Sequence, residues 1–210
     1  HKAKILEWSL QMCLCLKPGE VCLSCRFQNS SHTRVPAMEE LVDKNLARHI
    51  GLSNFNAQSV MDIMKYARVK PAVIQLELHP YLTQKPYLDW LRTQDIHVTG
   101  YSPLGSVSYV AMGGDSGLGM GVLAAEAVQR IAASKEKSAA QIVLRWAMQR
   151  GCSAIPKTVL SSRLQDNINI FDFTLTELEM EAIDSLNRNH RFNDPGVYGK
   201  FMGAAWPIFA

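Results

Sequence analysis

Charge of one sign is scarce in this 210-residue sequence, because 22 basic and 19 acidic residues are interspersed and leave a formal net charge of +3. No block of Lys or Arg supports a nucleic-acid surface, so we expect no nucleic-acid partner. Long apolar runs are also absent. The apolar stretch 12–16 is far too short to cross a bilayer, and no signal-peptide layout surrounds it. We therefore expect no membrane partner either.

Cysteines are few and unevenly placed. The sequence has five, an odd number with four near the N-terminus, which is not typical of a secreted disulfide framework. A reducing, cytoplasmic location is the expectation. The residues that superficially suggest zinc are Cys13, Cys15, Cys22, Cys25 and His32. Only the Cys22–Cys25 pair has ligand spacing and no second such pair follows, so we predict no metal site.

Regular patterns begin near residue 36. Residues 1–35 show no sustained helical or strand period, and we expect them to be poorly structured or foreign to the fold. Residues 36–210 form the predicted domain. Its apolar spacing predicts a helix behind Pro36, with this proline in the first turn, and a second helix starting at Asn56 or Ala57. Further helices are predicted at 85–93, 123–134, 139–150, 161–169 and 176–187. The predicted strands are 50–52, 72–78, 97–101 and 152–156.

Strands that alternate with helices in this way predict an α/β fold with a parallel sheet. A closed (β/α)8 barrel needs eight strands, and four are visible here. The sequence therefore predicts half of such a barrel. The glycine-rich stretch 105–121 is expected to be a surface loop, and the tail from residue 190 an irregular but ordered loop.

Four short motifs lie at the ends of the predicted strands: GLSNF (51–55), QLELHP (75–80), GYSPLG (100–105) and IPKT (155–158). Together, and in this order, they closely resemble the aldo-keto reductase superfamily, over residues 36–210. The ending, with RFNDP at 191–195 and WPIF at 206–209, is most similar to xylose-reductase-type members. The resemblance implies the C-terminal part of a (β/α)8 barrel whose site lies at the carboxyl ends of the strands.

The resemblance implies a nicotinamide site. Ser53, Asn54 and Gln75 match residues that hydrogen-bond the carboxamide, and Tyr101 matches the aromatic that stacks on the ring. Gln75 on an apolar strand also needs a polar partner on physical grounds. Two plainer interpretations stay open: Ser53 and Asn54 as a helix cap, and Tyr101 as a core aromatic at the barrel rim.

The same resemblance places the remainder of the cofactor. Along the pyrophosphate it implies Ser102, Leu104 and Ser106, with Gly105 allowing close backbone approach. Around the adenosine 2′-phosphate and adenine it implies Lys157, Thr158, Arg163 and Asn167. Asp166 stands where the family usually has Glu. Two cations and a hydroxyl suit a phosphate dianion, so NADPH is predicted over NADH.

The catalytic groups of the family have no match here. Its members use an Asp, Tyr, Lys and His tetrad from the first half of the barrel, whereas this sequence has no tyrosine before Tyr66 and no aspartate before Asp43. His79 is expected to be structural. We expect this chain not to catalyse hydride transfer, and its unpaired edge strands argue against autonomous folding. A mistaken gene model, retained intron or splice variant would each explain residues 1–35.

Three functional hypotheses follow. In the first, the full-length parent reduces aldehydes or ketones, especially sugar aldehydes, with NADPH, and Asn193 of the RFNDP motif lies near the substrate. In the second, the chain is a non-catalytic form that binds NADPH or a partner protein. In the third, the chain is a channel-regulating subunit, because potassium-channel β subunits share this fold. The xylose-reductase-like tail argues against this third hypothesis. The oligomeric state is left open.

Overall fold

The structure, a computed structural model, describes residues 31–105 and 121–194. Helices and strands alternate along these ranges. Their bounds are Ser31–Asp43 (α1), Gly51–Ser53 (β1), Ala57–Tyr66 (α2), Val73–Glu77 (β2), Lys85–Thr93 (α3), His97–Tyr101 (β3), Glu126–Lys135 (α4), Ala139–Gln149 (α5), Ser153–Ala154 (β4), Ser161–Ile168 (α6) and Glu177–Asp184 (α7). A short 3-10 turn, Val122–Ala124, precedes α4.

The strands form a four-stranded sheet in the order β1-β2-β3-β4. Strand β1 pairs in parallel with β2, with Ser53 opposite Gln75. Strand β3 pairs in parallel with β4, with Gly100 opposite Ala154. Neighbouring parallel strands require crossover connections, which the intervening helices provide. The predicted α/β class with four parallel strands is confirmed.

The described residues divide into two compact units. The first unit comprises 31–76 and 89–97, and its core includes Val60, Ile63 and Ile74. The second unit comprises 77–88, 98–105 and 121–194, and its core is built around Trp146 and Ile142 on α5. In each unit the burial of large apolar side chains supplies the main stabilising free energy.

Local capping explains where several helices begin. Asn56 caps α2 by accepting a hydrogen bond from the backbone N–H of Ser59 at 2.8 Å. Helices α5 and α7 each start with a capping box, formed by Ser138 with Gln141 and by Thr176 with Glu179. Such reciprocal bonds satisfy backbone N–H groups that have no partner within the helix.

Two predicted helix bounds are wrong. Helix α1 begins at Ser31, so Pro36 lies inside the helix and not in its first turn. Proline removes only one backbone donor there, and Val35 and Met38 on either side are buried. The helix predicted at 123–134 is interrupted by extended backbone at Ala125, with ψ of 132°, between the 3-10 turn and α4. The division at residues 35 and 36 stays a prediction.

None of the helices in the two described ranges combines the length and the apolarity that a bilayer crossing requires.

Candidate functional site

The first unit brings Ser53, Asn54 and Gln75 together. Ser53 ends β1, lies opposite Gln75 of β2 in the parallel register and is 8% exposed. Asn54 follows directly, and its backbone N–H donates to the carbonyl oxygen of Gln75 at 2.9 Å. The carboxyl ends of β1 and β2 therefore gather the three residues that the sequence assigned to the nicotinamide.

Asn54 has an unusual backbone conformation. Its φ of +57° lies in the left-handed region, which asparagine tolerates better than most residues. Its Nδ2 lies 3.5 Å from Ser53 Oγ, and its buried Oδ1 has no hydrogen-bond partner among the residues that the structure describes. A buried acceptor without a donor costs about 1–3 kcal/mol. This arrangement suits a ligand that offers an N–H donor.

The interpretation of Ser53 and Asn54 as a helix cap is wrong, because Asn56 caps α2 instead. Both residues are left for other contacts. Gln75 is half-buried, and within the described ranges its side-chain amide makes no hydrogen bond. A primary carboxamide, with one acceptor and two donors, would match this group of polar side chains.

In the second unit, a tight turn follows β3. Gly105 donates its backbone N–H to the carbonyl oxygen of Ser102 at 2.9 Å, and both residues have positive φ, +75° and +50°. A Cβ on Gly105 would lie 2.7 Å from Val122 Cγ2 and 3.2 Å from Phe192 Cε2. The glycine is therefore required by this turn and by the protein's own packing. Tyr101 and Leu104 flank the turn and are half-buried. The predicted contact Ser106 lies outside the described residues.

The predicted 2′-phosphate residues follow β4. Lys157 is exposed, and Thr158 Oγ1 accepts the backbone N–H of Leu160 at 3.1 Å just ahead of α6. Arg163 and Asn167 lie on α6 itself, in its first and last turns. Within residues 31–105 and 121–194, neither Lys157 nor Arg163 forms a side-chain ion pair or hydrogen bond. Both cations are thus available to an anionic ligand.

Asn193 is the most strongly connected of the predicted residues. Its Nδ2 donates to Glu77 Oε1 at 3.2 Å and to Ser102 Oγ at 3.0 Å. Its backbone N–H also donates to the Glu77 carboxylate, 3.2 Å from Oε2. The structure thus joins the residue predicted near the substrate to one predicted along the pyrophosphate. Glu77 connects them, and sequence reasoning had assigned it no role.

Glu77 and His79 form a fully buried polar pair at the end of β2, both 0% exposed. His79 Nε2 lies 3.1 Å from Glu77 Oε1, and the backbone N–H of Phe192 donates to the same oxygen at 2.8 Å. The Phe192 ring lies 4.8 Å, between centroids, from each of His79 and His190. Burial of the imidazole, together with the nearby His79, lowers the pKa of His190 below its ordinary value.

Metal-ligating groups do not gather in the part of the chain that the structure describes, where no three His, Cys, Asp or Glu side chains could hold an ion together. The cysteines considered for zinc, Cys13, Cys15, Cys22 and Cys25, lie outside the described residues.

Comparison with known proteins decides the family. The aldo/keto reductase family model matches residues 26–188, most of the chain. The chain belongs to the aldo/keto reductase family. It is 43% identical, over 174 residues, to the NAD(P)H-dependent D-xylose reductase of Aspergillus niger, with 82% of this chain and 53% of that protein covered. It is 41% identical, over 177 residues, to the 4-dihydromethyl-trisporate dehydrogenase of Mucor mucedo, with 84% and 55% covered.

Solved aldo/keto reductase structures agree. The aldose reductase of Schistosoma japonicum superposes with a TM-score of 0.70 at 32% identity, covering 80% of this chain and 51% of that one. An aldo-keto reductase from a deep-sea metagenome library gives 0.67 at 31%, covering 74% and 54%. These relationships confirm the predicted fold, a partial (β/α)8 barrel. The chain spans about half the length of the curated relatives it matches.

Glu77 could have been found from the sequence. A carboxylate in the apolar strand β2 is as anomalous as Gln75, because a buried charge needs several hydrogen-bond donors. What the sequence could not show is that those donors come from Phe192 and Asn193, more than a hundred residues later.

Proposed function

We propose that this chain supplies the cofactor side of an NADPH-dependent reductase that converts aldehydes or ketones, in particular sugar aldehydes, to alcohols. The observation that carries the proposal is the buried, unpartnered Oδ1 of Asn54 at the ends of β1 and β2, beside Ser53 and Gln75. A site that keeps an acceptor out of water without a donor is prepared for a ligand that brings one. The carboxamide of a nicotinamide has such a donor.

The second support is a pair of cations at α6, Lys157 and Arg163, which form no ion pair with any described residue. Lys157 and Arg163 provide the charge and the donors that a phosphate dianion prefers. The Thr158 hydroxyl donates to the carbonyl oxygen of Leu160 at 3.4 Å and would have to redirect that hydrogen to contact the phosphate. The N-terminal end of α6 adds backbone N–H groups that favour an anion. NADPH carries a 2′-phosphate and NADH does not, which is why we propose NADPH.

Each of these residues would have a separate role in binding NADPH. Bound NADPH supplies the hydride. Asn54 and Gln75 would fix the orientation of the nicotinamide ring, and the half-buried Tyr101 would support one of its faces. Lys157 would select the phosphorylated cofactor by charge. No residue of this chain is proposed as the proton donor, because none matches the family's catalytic tetrad.

Asn193 is proposed to contact the substrate through its side-chain oxygen. Both of its amide hydrogens are already donated, to Glu77 and to Ser102. What remains for a substrate is Oδ1, which can only accept a hydrogen bond. A hydroxyl next to the reacting carbonyl would satisfy it, and this is the reason for proposing sugar aldehydes.

Substituting Lys157 with alanine tests the cofactor assignment. We expect Lys157→Ala to weaken NADPH binding about tenfold, because a charge-assisted hydrogen bond to phosphate is lost. The affinity for NADH should be unchanged. Isothermal titration of the chain with both cofactors measures the two dissociation constants. Lys65→Ala, which removes another exposed lysine on α2, is the matched control and should change neither. An equal loss for both cofactors, or no loss for NADPH, would contradict the proposal.

Asn54→Gly tests the nicotinamide contact. Glycine adopts the +57° φ of this position without strain, so the substitution removes the amide while keeping the backbone. We expect NADPH affinity to fall about five- to tenfold. Binding of 2′,5′-ADP, which has no nicotinamide, should be unaffected, and unfolding in urea should stay within about 1 kcal/mol of the unsubstituted chain. A parallel loss for both ligands would mean that the substitution damages the fold.

A second candidate function is cofactor binding without catalysis. The sequence favours it, because it lacks the family's strand-end catalytic motif with its histidine. The two candidates differ in the turnover of the full-length parent. The decisive assay follows NADPH oxidation with xylose and with a simple aldehyde, on a full-length parent already shown to bind NADPH. Consumption of NADPH with a carbonyl substrate would eliminate the non-catalytic alternative, and binding without consumption would eliminate the reductase.

A further inference from the structure

The two side-chain amide hydrogens of Asn193 are donated to two different acceptors. One goes to Glu77 Oε1 at 3.2 Å and the other to Ser102 Oγ at 3.0 Å. Rotating the amide by half a turn would place its oxygen against the Glu77 carboxylate, where two acceptors would face each other. The orientation of the Asn193 amide is therefore fixed by Glu77.

The Ser102 hydroxyl accepts a hydrogen bond from Asn193 and donates none to any residue that the structure describes. Across residues 31–105 and 121–194, the Ser102 hydroxyl has no acceptor for its proton. A hydroxyl whose lone pair is occupied by a donor must direct its O–H elsewhere. The left-handed backbone at Ser102, with φ of +50°, holds the side chain at the turn that follows β3. The result is an oriented donor that has no acceptor in the described part of the chain.

We propose that Asn193 is a positioning residue for the cofactor. It orients the Ser102 hydroxyl as a donor to the diphosphate bridge of NADPH, and Glu77 holds Asn193 in place. This inference rests on the proposed function, in which Ser102 lies along the pyrophosphate. The inference goes beyond the proposed function because it gives Asn193, near the end of the described residues, a role in cofactor binding in addition to its proposed contact with substrate.

The closing experiment measures dissociation constants for two ligands, NADPH and 2′,5′-ADP, which lacks the diphosphate bridge. We expect Ser102→Ala and Asn193→Ala each to weaken NADPH about fivefold, the effect of one hydrogen bond, and to leave 2′,5′-ADP unchanged. Because both act through the same hydroxyl, the double variant should bind NADPH no more weakly than Ser102→Ala alone. If Asn193→Ala does not fold, Asn193→Gln, which displaces the amide by one methylene, gives the same comparison.

Asn187→Ala separates positioning from general loosening of the same segment. Asn187 Oδ1 accepts the backbone N–H of Thr83 at 3.1 Å and makes no contact with Ser102. We expect it to leave NADPH affinity within twofold. A loss as large as that of Asn193→Ala, or losses from Asn193→Ala and Ser102→Ala that add, would overturn the inference. If Lys157→Ala weakens NADPH binding and Asn193→Ala does not, the inference about Asn193 is overturned and the proposed function stands. If the unsubstituted chain does not bind NADPH, the inference and the proposed function are both overturned.

Discussion

Replacing Trp146 with alanine is expected to lower the free energy of unfolding by about 3–5 kcal/mol, the range for removing a large aromatic from a core. Trp146 on α5 is 0% exposed. Its indole Nε1 donates to Asp184 Oδ1 at 2.8 Å, and the Arg150 guanidinium lies 4.7 Å from the ring centroid. The substitution therefore creates a cavity and also leaves Asp184 with one donor fewer.

Two matched variants separate these contributions. Trp146→Phe keeps an aromatic ring but removes the N–H, so we expect a loss of about 1–2 kcal/mol. Trp90→Ala removes a tryptophan of α3 that is only half-buried, and a smaller loss than at Trp146 is expected. Urea unfolding followed by circular dichroism measures all three. A loss below about 1 kcal/mol for Trp146→Ala, or one equal to that of Trp90→Ala, would contradict the assigned packing role.

The sequence predicts elements best where the signal is local. Helix α3, Lys85–Thr93, and strand β3, His97–Tyr101, lie at the predicted residues. Their apolar periods and the residues that end them are all within a few positions of each other. The last strand is shorter than predicted, Ser153–Ala154, although Ile155 still donates its backbone N–H to Gly100 at 3.1 Å. Short strands are defined by a distant partner, which local patterns do not contain.

The candidate site likewise has some features that the sequence predicts and others that depend on distant residues. Ser53, Asn54 and Gln75 are adjacent because the parallel register puts the ends of β1 and β2 side by side, and the family resemblance of their motifs implied a shared site for them. Packing also requires glycine at residue 105, since Val122 and Phe192 would clash with a side chain there, and local sequence patterns do not show this. The Glu77 network is the clearest failure of sequence reasoning. Apart from His79, the donors to its carboxylate are 115 and 116 residues away along the chain, so only the folded chain reveals them.

Glu77→Ala is expected to lower the free energy of unfolding by about 3–5 kcal/mol, comparable to breaking a buried ion pair. The carboxylate is 0% exposed and accepts hydrogen bonds from His79 Nε2, the Phe192 N–H and Asn193. Alanine leaves these buried donors without an acceptor. Glu77→Gln keeps one oxygen, and Oε1 is the atom that accepts most of these bonds, so a loss of only about 1 kcal/mol is expected.

The same pair of variants shows whether Glu77 holds the end of the described chain in place. Hydrogen exchange at the Phe192 and Asn193 amides should accelerate strongly in Glu77→Ala and little in Glu77→Gln, because those N–H groups donate to the carboxylate. Glu40→Ala, which removes an exposed carboxylate of α1 paired with Lys44, should change stability by less than about 1 kcal/mol. If Glu77→Gln were as damaging as alanine, the negative charge and not the acceptor would hold this segment. Unchanged exchange in both would mean that Phe192 and Asn193 are held by other contacts, and the orientation of Ser102 would then need a different cause.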